Sequence, residues 1–511
     1  MKSAAHKSAP AWRWLVIALA LPAALLAQKL TLDLWADEVY TLYEFASQPV
    51  SQIVRDYSAP NNHIFYTLLL KPVAAISTHV AALRLPSLVL AVLTLATVFA
   101  LGALLFDRVA AVAASLTLGL NVMFLTHAMQ LRGYGVSMAL TAGLTWLAAR
   151  QVGIGASKTQ AQGHNEAALG TQLARALATT LGGAALLYTV PTNALFFGPL
   201  TLWVVARGWK QAVDRRDAPK MLAPWLAAWL LAVALYAPVL EQLRAQSATP
   251  WAGIGASLRL VGDVLWAAGH DLWPLWLVAL ALIAVRKGTL AFAAFRQNPT
   301  AWSLLAVMLL GPFIAAIALG ITPFVRNFCP LLPALALATG GLISMATQAF
   351  AQPRGVDDSR PVMTAALAVI VVMLPAVLVY PARLERVRKA RFAQDGYYNY
   401  YAAHFEPSCA ARALRAAIGP AENYRICFGS SDHHALSHAL AEVGFPLPPE
   451  QVMGDRDGGS GYLYVVLPAR PNNDEVVKAC GASMATVEQW PVVAQCGYYE
   501  VRRSPERVTL K

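Results

Sequence analysis

The chain has 511 residues, 57% hydrophobic and 13% charged, about half the charge fraction of an average soluble domain, which excludes water as its main solvent. A net charge of +12 would suit a nucleic-acid binder, but Lys and Arg sit mostly in short loops between apolar windows, where the positive-inside rule puts them, so no nucleic-acid partner is expected. Those windows run to roughly 17 to 22 residues, the length that crosses a bilayer core at about 1.5 Å per residue.

About eleven windows follow in order, near 12–28, 84–106, 109–127, 130–149, 173–190, 192–206, 222–240, 266–285, 301–319, 329–347 and 361–380. They predict an α-helical polytopic membrane domain over 1–380, followed by a soluble α/β domain over 381–511. The N-terminal tail with Lys2, Lys7 and Arg13 is placed in the cytoplasm, as are the turns carrying Arg108, Arg150 with Lys158, Arg207 to Lys220, Arg286 to Arg296, and Arg354 with Arg360. The first window has spanning length and no small-residue cleavage site after it, so it reads as a signal anchor.

Residues 29–83 form a first outer loop that is too polar to span and should hold surface helices. Its run IFYTLLLKPVAAI is interrupted by Lys71 and Pro72; a crossing there would invert every later basic loop, so it is read as juxtamembrane or re-entrant. The loop also carries Lys29, Arg55, Lys71 and Arg84, an exception to the charge rule that needs another cause. The stretch 150–171 is a flexible connector rich in Gly, Gln, Ser and Ala. Tyr397, Tyr398, Tyr400 and Tyr401 then read as an interfacial aromatic belt.

In the tail, strand-like runs lie at 424–428, 462–467 and 497–501, with a helix after Ser431. Cys409, Cys427, Cys480 and Cys496 form an even set there, which predicts two disulfides in an oxidising compartment, with Cys329 left as a thiol. Four cysteines allow three pairings, which stay open. His433, His434 and His438 in SDHHALSH have a spacing open to zinc, but a solvent-facing helix is the plainer reading.

Ionisable groups at membrane helices cost free energy and are functional candidates. Asp37 and Glu38, in LWADEVYTLYEF, follow the first window directly. A second polar knot is PNNHIFYTLLLKP with Asn61, Asn62 and His63; then come Arg84 to Ser87 (RLPS) at the head of the next span, and Arg132 with Tyr134 in LRGYGVSMAL. Taken in this order over residues 35–145, these segments resemble the GT-C superfamily of integral-membrane glycosyltransferases, in the branch of the protein O-mannosyltransferases and the lipid A aminoarabinose transferase. The family's His-Pro-Pro slot reads Asn61, Asn62, His63 here, without proline.

The resemblance implies sugar transfer from a polyprenyl-phosphate donor to a hydroxyl of a glycolipid, glycan or protein acceptor, at the periplasmic face of a bacterial inner membrane. It makes Asp37 the base, with Glu38 beside it orienting the acceptor. The leaving phosphate calls for arginine, whose planar fork makes two parallel bonds to phosphate oxygens. Arg132 and Arg326, the latter in ITPFVRNFCPLLPAL, fit that place, with Asn62, His63 and Tyr134 as further donor-binding residues; Arg84 is read as snorkelling to the headgroups or bracing the loop rather than as catalytic. No cofactor is expected: Gly-rich phosphate loops and Asp-x-Asp metal motifs are not evident. The rival from another class is a secondary transporter or flippase, against which stand the missing repeat of halves and the surface position of the acidic pair. A non-catalytic assembly protein is the third reading.

Overall fold

The computed structural model describes residues 11–34, 36–154, 166–211, 218–247, 253–285, 298–350, 359–391, 407–419, 424–428, 433–444, 459–468, 477, 481–496 and 499–510. The aromatic run at 397–401 and Cys480 lie outside them. The chain is a multi-pass α-helical membrane protein with a small sheet near its C-terminus, and it divides into two compact units. One holds residues 1–29, 54–69 and 85–380; the other holds 30–53, 70–84 and 381–511.

In the first unit every expected window falls on helix. Among the described residues five helices are long and apolar enough to cross a membrane alone: Val80–Leu105, Met221–Gln246, Pro299–Ala318, Val325–Gln348 and Arg360–Val379. The window at 266–285, expected as one span, is instead a bent pair, Ile254–Gly269 and Trp273–Val285, meeting at 83°. His270 Nε2 and Asp271 Oδ1, 3.1 Å apart, sit at the bend. The window at 109–127 is also broken: one helix ends with Leu120 as its C-cap, and Asn121 caps the next, its side chain accepting the Phe124 N–H at 3.1 Å. Leu85, Val89 and Leu93 form an exposed stripe at four-residue spacing, while Ala91, Leu95, Val98 and Leu101 are buried on the same helix. Apolar on both faces, it suits a helix with protein on one side and lipid on the other.

The centre of this unit is the helix Arg108–Gly119, buried from Val109 onward. Its sequence RVAAVAASLTLG is small enough to let neighbouring backbones come close, the device that replaces hydrophobic driving force between helices in lipid. A Cβ on Gly102 would lie 2.6 Å from the Ala111 backbone, and one on Gly340 would lie 2.6 Å from the Ala110 carbonyl oxygen. Asp107 starts the helix by accepting the Ala110 N–H at 2.8 Å, and its other oxygen accepts from Gln348 at 2.7 Å.

The run Ile64–Ile76 forms a thirteen-residue helix, about 20 Å long and short of the roughly 30 Å hydrocarbon core.

In the second unit the strands are β1 (Tyr424–Cys427), β2 (Gly459–Pro468), β3 (Val492–Cys496), β4 (Tyr499–Arg503) and β5 (Val508–Leu510). Their order is β1-β2-β4-β3, with β1 parallel to β2, β2 and β3 antiparallel to β4, and β5 antiparallel to β2. The unbroken apolar run of β2 follows from burial on both faces. Tyr464 and Val466 join Leu414, Leu436 and Leu440 of the helices Pro407–Ala417 and His433–Glu442; Leu463, Val465 and Leu467 join Val487 and Trp490. His438 is 4% exposed, so the expectation of a solvent-facing histidine helix is corrected: the helix packs one side into the core.

Among the described residues one disulfide is seen, Cys409–Cys496, tying the helix Pro407–Ala417 to β3. The other expected bridge would join Cys427 to Cys480, which lies outside the described residues; Cys427 itself sits in the core on the opposite face of the sheet from Cys496.

Two outcomes are expected. Gly340→Ala should lower the melting temperature in detergent, by about 1–3 kcal/mol of stability for overpacking, whereas Gly143→Ala, with open space around it, should not; equal melting of the two variants would contradict the close-packed centre. Non-reducing peptide mapping should recover Cys409 linked to Cys496, and finding both as alkylated thiols would contradict the bridge.

Candidate active site

The candidate residues fall in both units: Asp37 and Glu38 in the second, Asn62, His63, Arg132, Tyr134 and Arg326 in the first.

Asp37 and Glu38 open the helix Ala36–Tyr40, where carboxylates complement the N-terminal dipole, and the chain continues through a wide π-helical turn, Thr41–Ala46. Neighbouring positions on a helix differ by about 100°, so the two side chains leave it in different directions. Glu38 is fully buried and pairs with Arg84, Nη2 to Oε2 at 2.9 Å. The same guanidinium donates to the carbonyl of Asp33 at 3.0 Å and to that of Leu32, so Arg84 braces the segment ahead of the helix. Lys71 holds the other end, donating to the carbonyls of Gln48 and Ala46. Two of the anomalous cations of the loop are therefore structural. Asp37 is half-buried, and its carbonyl accepts from the Thr41 hydroxyl at 2.9 Å.

In the first unit the knot at 56–67 closes on itself through Asn62, which donates to the Asp56 carbonyl at 2.6 Å and accepts from the Thr67 hydroxyl at 3.0 Å. Asn62 thus shapes the turn that presents His63. Two glutamines clamp the preceding stretch, Gln242 on Arg55 and Tyr57, and Gln246 on Ser58.

His63 is 2% exposed, and its Nδ1 accepts the Gly133 N–H at 2.7 Å, which leaves the proton of the neutral ring on Nε2. Burial, followed by the charges of Arg132 and Arg326, holds its pKa well below the ordinary histidine range, so His63 is a neutral donor beside two cations. Its ring meets Tyr134 edge-on at 5.2 Å, and Tyr134 meets His127 at 5.3 Å. The Arg132 guanidinium lies 5.2 Å from the Tyr134 ring centre and donates to Asn61 at 3.3 Å. Arg326, in the tight turn Val325–Leu331, stacks at 4.4 Å on Phe324 and is 8% exposed; its Nε and Nη1 have no hydrogen-bond partner among the described residues. Burying such donors costs free energy until an acceptor arrives, and phosphate supplies several. Tyr57 also belongs here: burial and Tyr134 push its hydroxyl up to about 12 against the opposing pull of Arg132.

Sequence reasoning missed His127, Tyr57 and Gly133. The last carried a signal, since a Cβ at Gly133 would lie 2.3 Å from the Thr189 methyl and 2.9 Å from His63 Nδ1, so the Arg-x-Tyr element needs glycine in its middle. Ser87 of RLPS donates to the Gln130 carbonyl at 3.1 Å and lies 2.8 Å from the Tyr66 hydroxyl, seating the span against this cluster.

No family model and no curated protein matches the sequence. Among solved structures, ArnT from Cupriavidus metallidurans in the apo state is similar over 96% of this chain and 98% of its own, at 15% identity and a TM-score of 0.49. The same protein bound to undecaprenyl phosphate is similar over 97% and 98%, also at 15% and 0.49. The archaeal oligosaccharyltransferase AglB from Archaeoglobus fulgidus, in complex with an inhibitory peptide and a dolichol-phosphate, is similar over 84% and 63%, at 12% identity and a TM-score of 0.42.

The depressed basicity of His63 has a sign that can be measured. Below about pH 6.5 the unfolded histidine takes a proton that the folded one does not, so stability falls as pH drops, by at most about 1.4 kcal/mol per unit, and levels off above that pH. Melting between pH 5 and 7.5 should therefore be steeper in the wild type than in His63→Gln; parallel curves would contradict a buried neutral ring.

Proposed function

We propose that this chain is a glycosyltransferase that moves a sugar from a polyprenyl-phosphate carrier to an acceptor hydroxyl on the non-cytoplasmic face of a bacterial inner membrane. The observation that carries this reading is Arg326: a buried guanidinium with two unengaged donors, close to Arg132 and a neutral His63, suits a dianionic or monoanionic phosphate oxygen set. The Cys409–Cys496 bridge supports an oxidising compartment for the tail, and with it a cytoplasmic N-terminus.

In the reaction the acceptor oxygen attacks the anomeric carbon as the bond from that carbon to the phosphate oxygen breaks, in one displacement with inversion. The hydroxyl proton passes to the Asp37 carboxylate, and the polyprenyl phosphate leaves with the bonding electrons. Arg326 and Arg132 hold the phosphate as its charge grows, and the His63 Nε2–H adds a donor without a further charge. Asp37 takes the base role because Glu38 is committed to Arg84, where it fixes the segment and does not exchange protons with substrate. Metal is not needed for the leaving group when two guanidinium groups serve it. The sugar and the acceptor class, whether glycolipid, glycan or protein, are left to assay.

Asp37→Asn should keep expression and donor binding while transfer from labelled polyprenyl-phosphate sugar falls by roughly 10² or more. Arg326→Ala should weaken donor binding and slow transfer together, and Glu38→Gln should lower the yield of folded protein. Near-normal transfer by Asp37→Asn, with loss in Glu38→Gln at full folding, would reverse the two roles; normal transfer by all three would sink the glycosyltransferase reading.

A further inference from the structure

Beyond the pair Glu38 and Arg84, the second unit contains a set of contacts between the first loop and the tail that no catalytic role accounts for. Each of two helix starts is capped by a carboxylate from the other segment. Asp33 of the loop accepts the Ser408 N–H at 3.0 Å, at the beginning of Pro407–Ala417, while Glu442 of the tail accepts the Val80 N–H, at the beginning of Val80–Leu105. Between them the Tyr43 hydroxyl lies 3.0 Å from Nδ1 of His438, with the rings edge-on at 5.9 Å, and His438 Nε2 lies 3.8 Å from Glu442. His433–Glu442 also packs along Ala36–Tyr40, the helix that carries Asp37.

We propose that Asp33, Tyr43, His438 and Glu442 are positioning residues, through which the C-terminal domain holds the Asp37 helix in its reacting place. This rests on the reading of Asp37 as the base. Reciprocal capping is suited to the task, because each cap satisfies an N–H that has no partner within its own helix, so the two segments complete each other's ends. The chain distance involved is large, 375 residues from Asp33 to Ser408 and 395 from Tyr43 to His438, so the loop cannot reach this arrangement from its own sequence. The groups facing the cluster are Asp33, His79 and Tyr43 from the loop side and His438 and Glu442 from the tail. Burial lowers the pKa of His438 against the pull of Asp33; burial and Asp33 raise that of Glu442 while His79 and the Val80 N–H oppose it. His438 is buried in this contact, while Glu442 lies at its solvent-facing edge. A small displacement of a base relative to its acceptor is costly in rate, up to roughly 10² for an ångström.

The test is steady-state transfer by the full-length protein carrying Asp33→Asn, Tyr43→Phe, Glu442→Gln or Glu442→Asp, alongside Asp37→Asn. Rates are normalised to folded protein, and donor affinity is measured separately with polyprenyl monophosphate. Asp33→Asn and Glu442→Gln should each lower kcat roughly 10- to 100-fold with donor KM and monophosphate affinity within about twofold, and Glu442→Asp should restore part of the loss. Tyr43→Phe removes one hydroxyl only and should lower kcat severalfold, which keeps the question answerable if a carboxylate variant fails to fold. A merely structural role would reduce the amount of folded protein and leave kcat per folded molecule unchanged, and that result overturns the proposal. If these variants keep wild-type kcat while Asp37→Asn has lost transfer, the positioning role fails and the base assignment stands. If Asp37→Asn retains transfer, the underlying reading fails first.

Discussion

Arg84 and Glu38 withdraw a full positive and a full negative charge from water and hold them 2.9 Å apart. Such a pair is weak evidence for net stability, since desolvation offsets much of the attraction, but taking away one partner leaves an uncompensated buried charge at a cost of about 3–5 kcal/mol. Its value here is geometric. The guanidinium fork engages a carboxylate and two backbone carbonyls at once, so the head of Val80–Leu105 and the segment 32–38 adopt one mutual arrangement. An ammonium in its place has no planar fork and would leave at least one of those acceptors without its donor. Of the two adjacent acids, that bond engages Glu38 and not Asp37.

The other unit uses buried charge differently. Arg132 and Arg326 are drawn from the protein's solvent-free interior, yet they are cushioned by aromatic faces and amide oxygens. Aromatic faces lower the cost of burying a guanidinium without neutralising it, so its field remains available to an incoming anion. Keeping His63 uncharged belongs to the same economy of repulsion, because a third cation in that volume would be disfavoured by both of the others.

Much of this was legible in the sequence for reasons that are local. Apolar windows of spanning length became helices, and the strand-like runs at 424–428 and 462–467 became β1 and β2, because hydrophobic run length and side-chain alternation are properties of consecutive residues. A cation at the mouth of a span left Arg84 either snorkelling or bracing the loop, and its contacts with Leu32, Asp33 and Glu38 are those of the second. What the sequence hid depends on contacts between distant residues. The break at His270 and Asp271 looks like a small polar interruption in an apolar run, and only packing turns it into an 83° bend. His127 and Tyr57 look like ordinary interface residues until the fold brings them to Tyr134 and Arg132. The tie between residues 30–53, 70–84 and the tail, and the choice of Cys409 with Cys496 among the cysteine pairings, are set by tertiary contact alone.

The bridge from Cys409 to Cys496 closes a covalent ring, with 87 residues separating its ends. By the loop-closure relation a ring of that size removes about 4–5 kcal/mol of denatured-chain entropy. The ring contains β1, β2 and the helix His433–Glu442, whereas β4 and β5 lie beyond it and are held by non-covalent contacts: strand pairing, the packing of Tyr499 and Val501, and the Arg502 hydrogen bonds to the Glu488 and Trp490 carbonyls. A protease that cuts one peptide bond inside the ring produces no separate fragment: the two pieces stay on one molecule, and the nicked domain can close again on its own template. A cut between Cys496 and β4 has no such protection, because no other covalent link ties β4 and β5 to the ring.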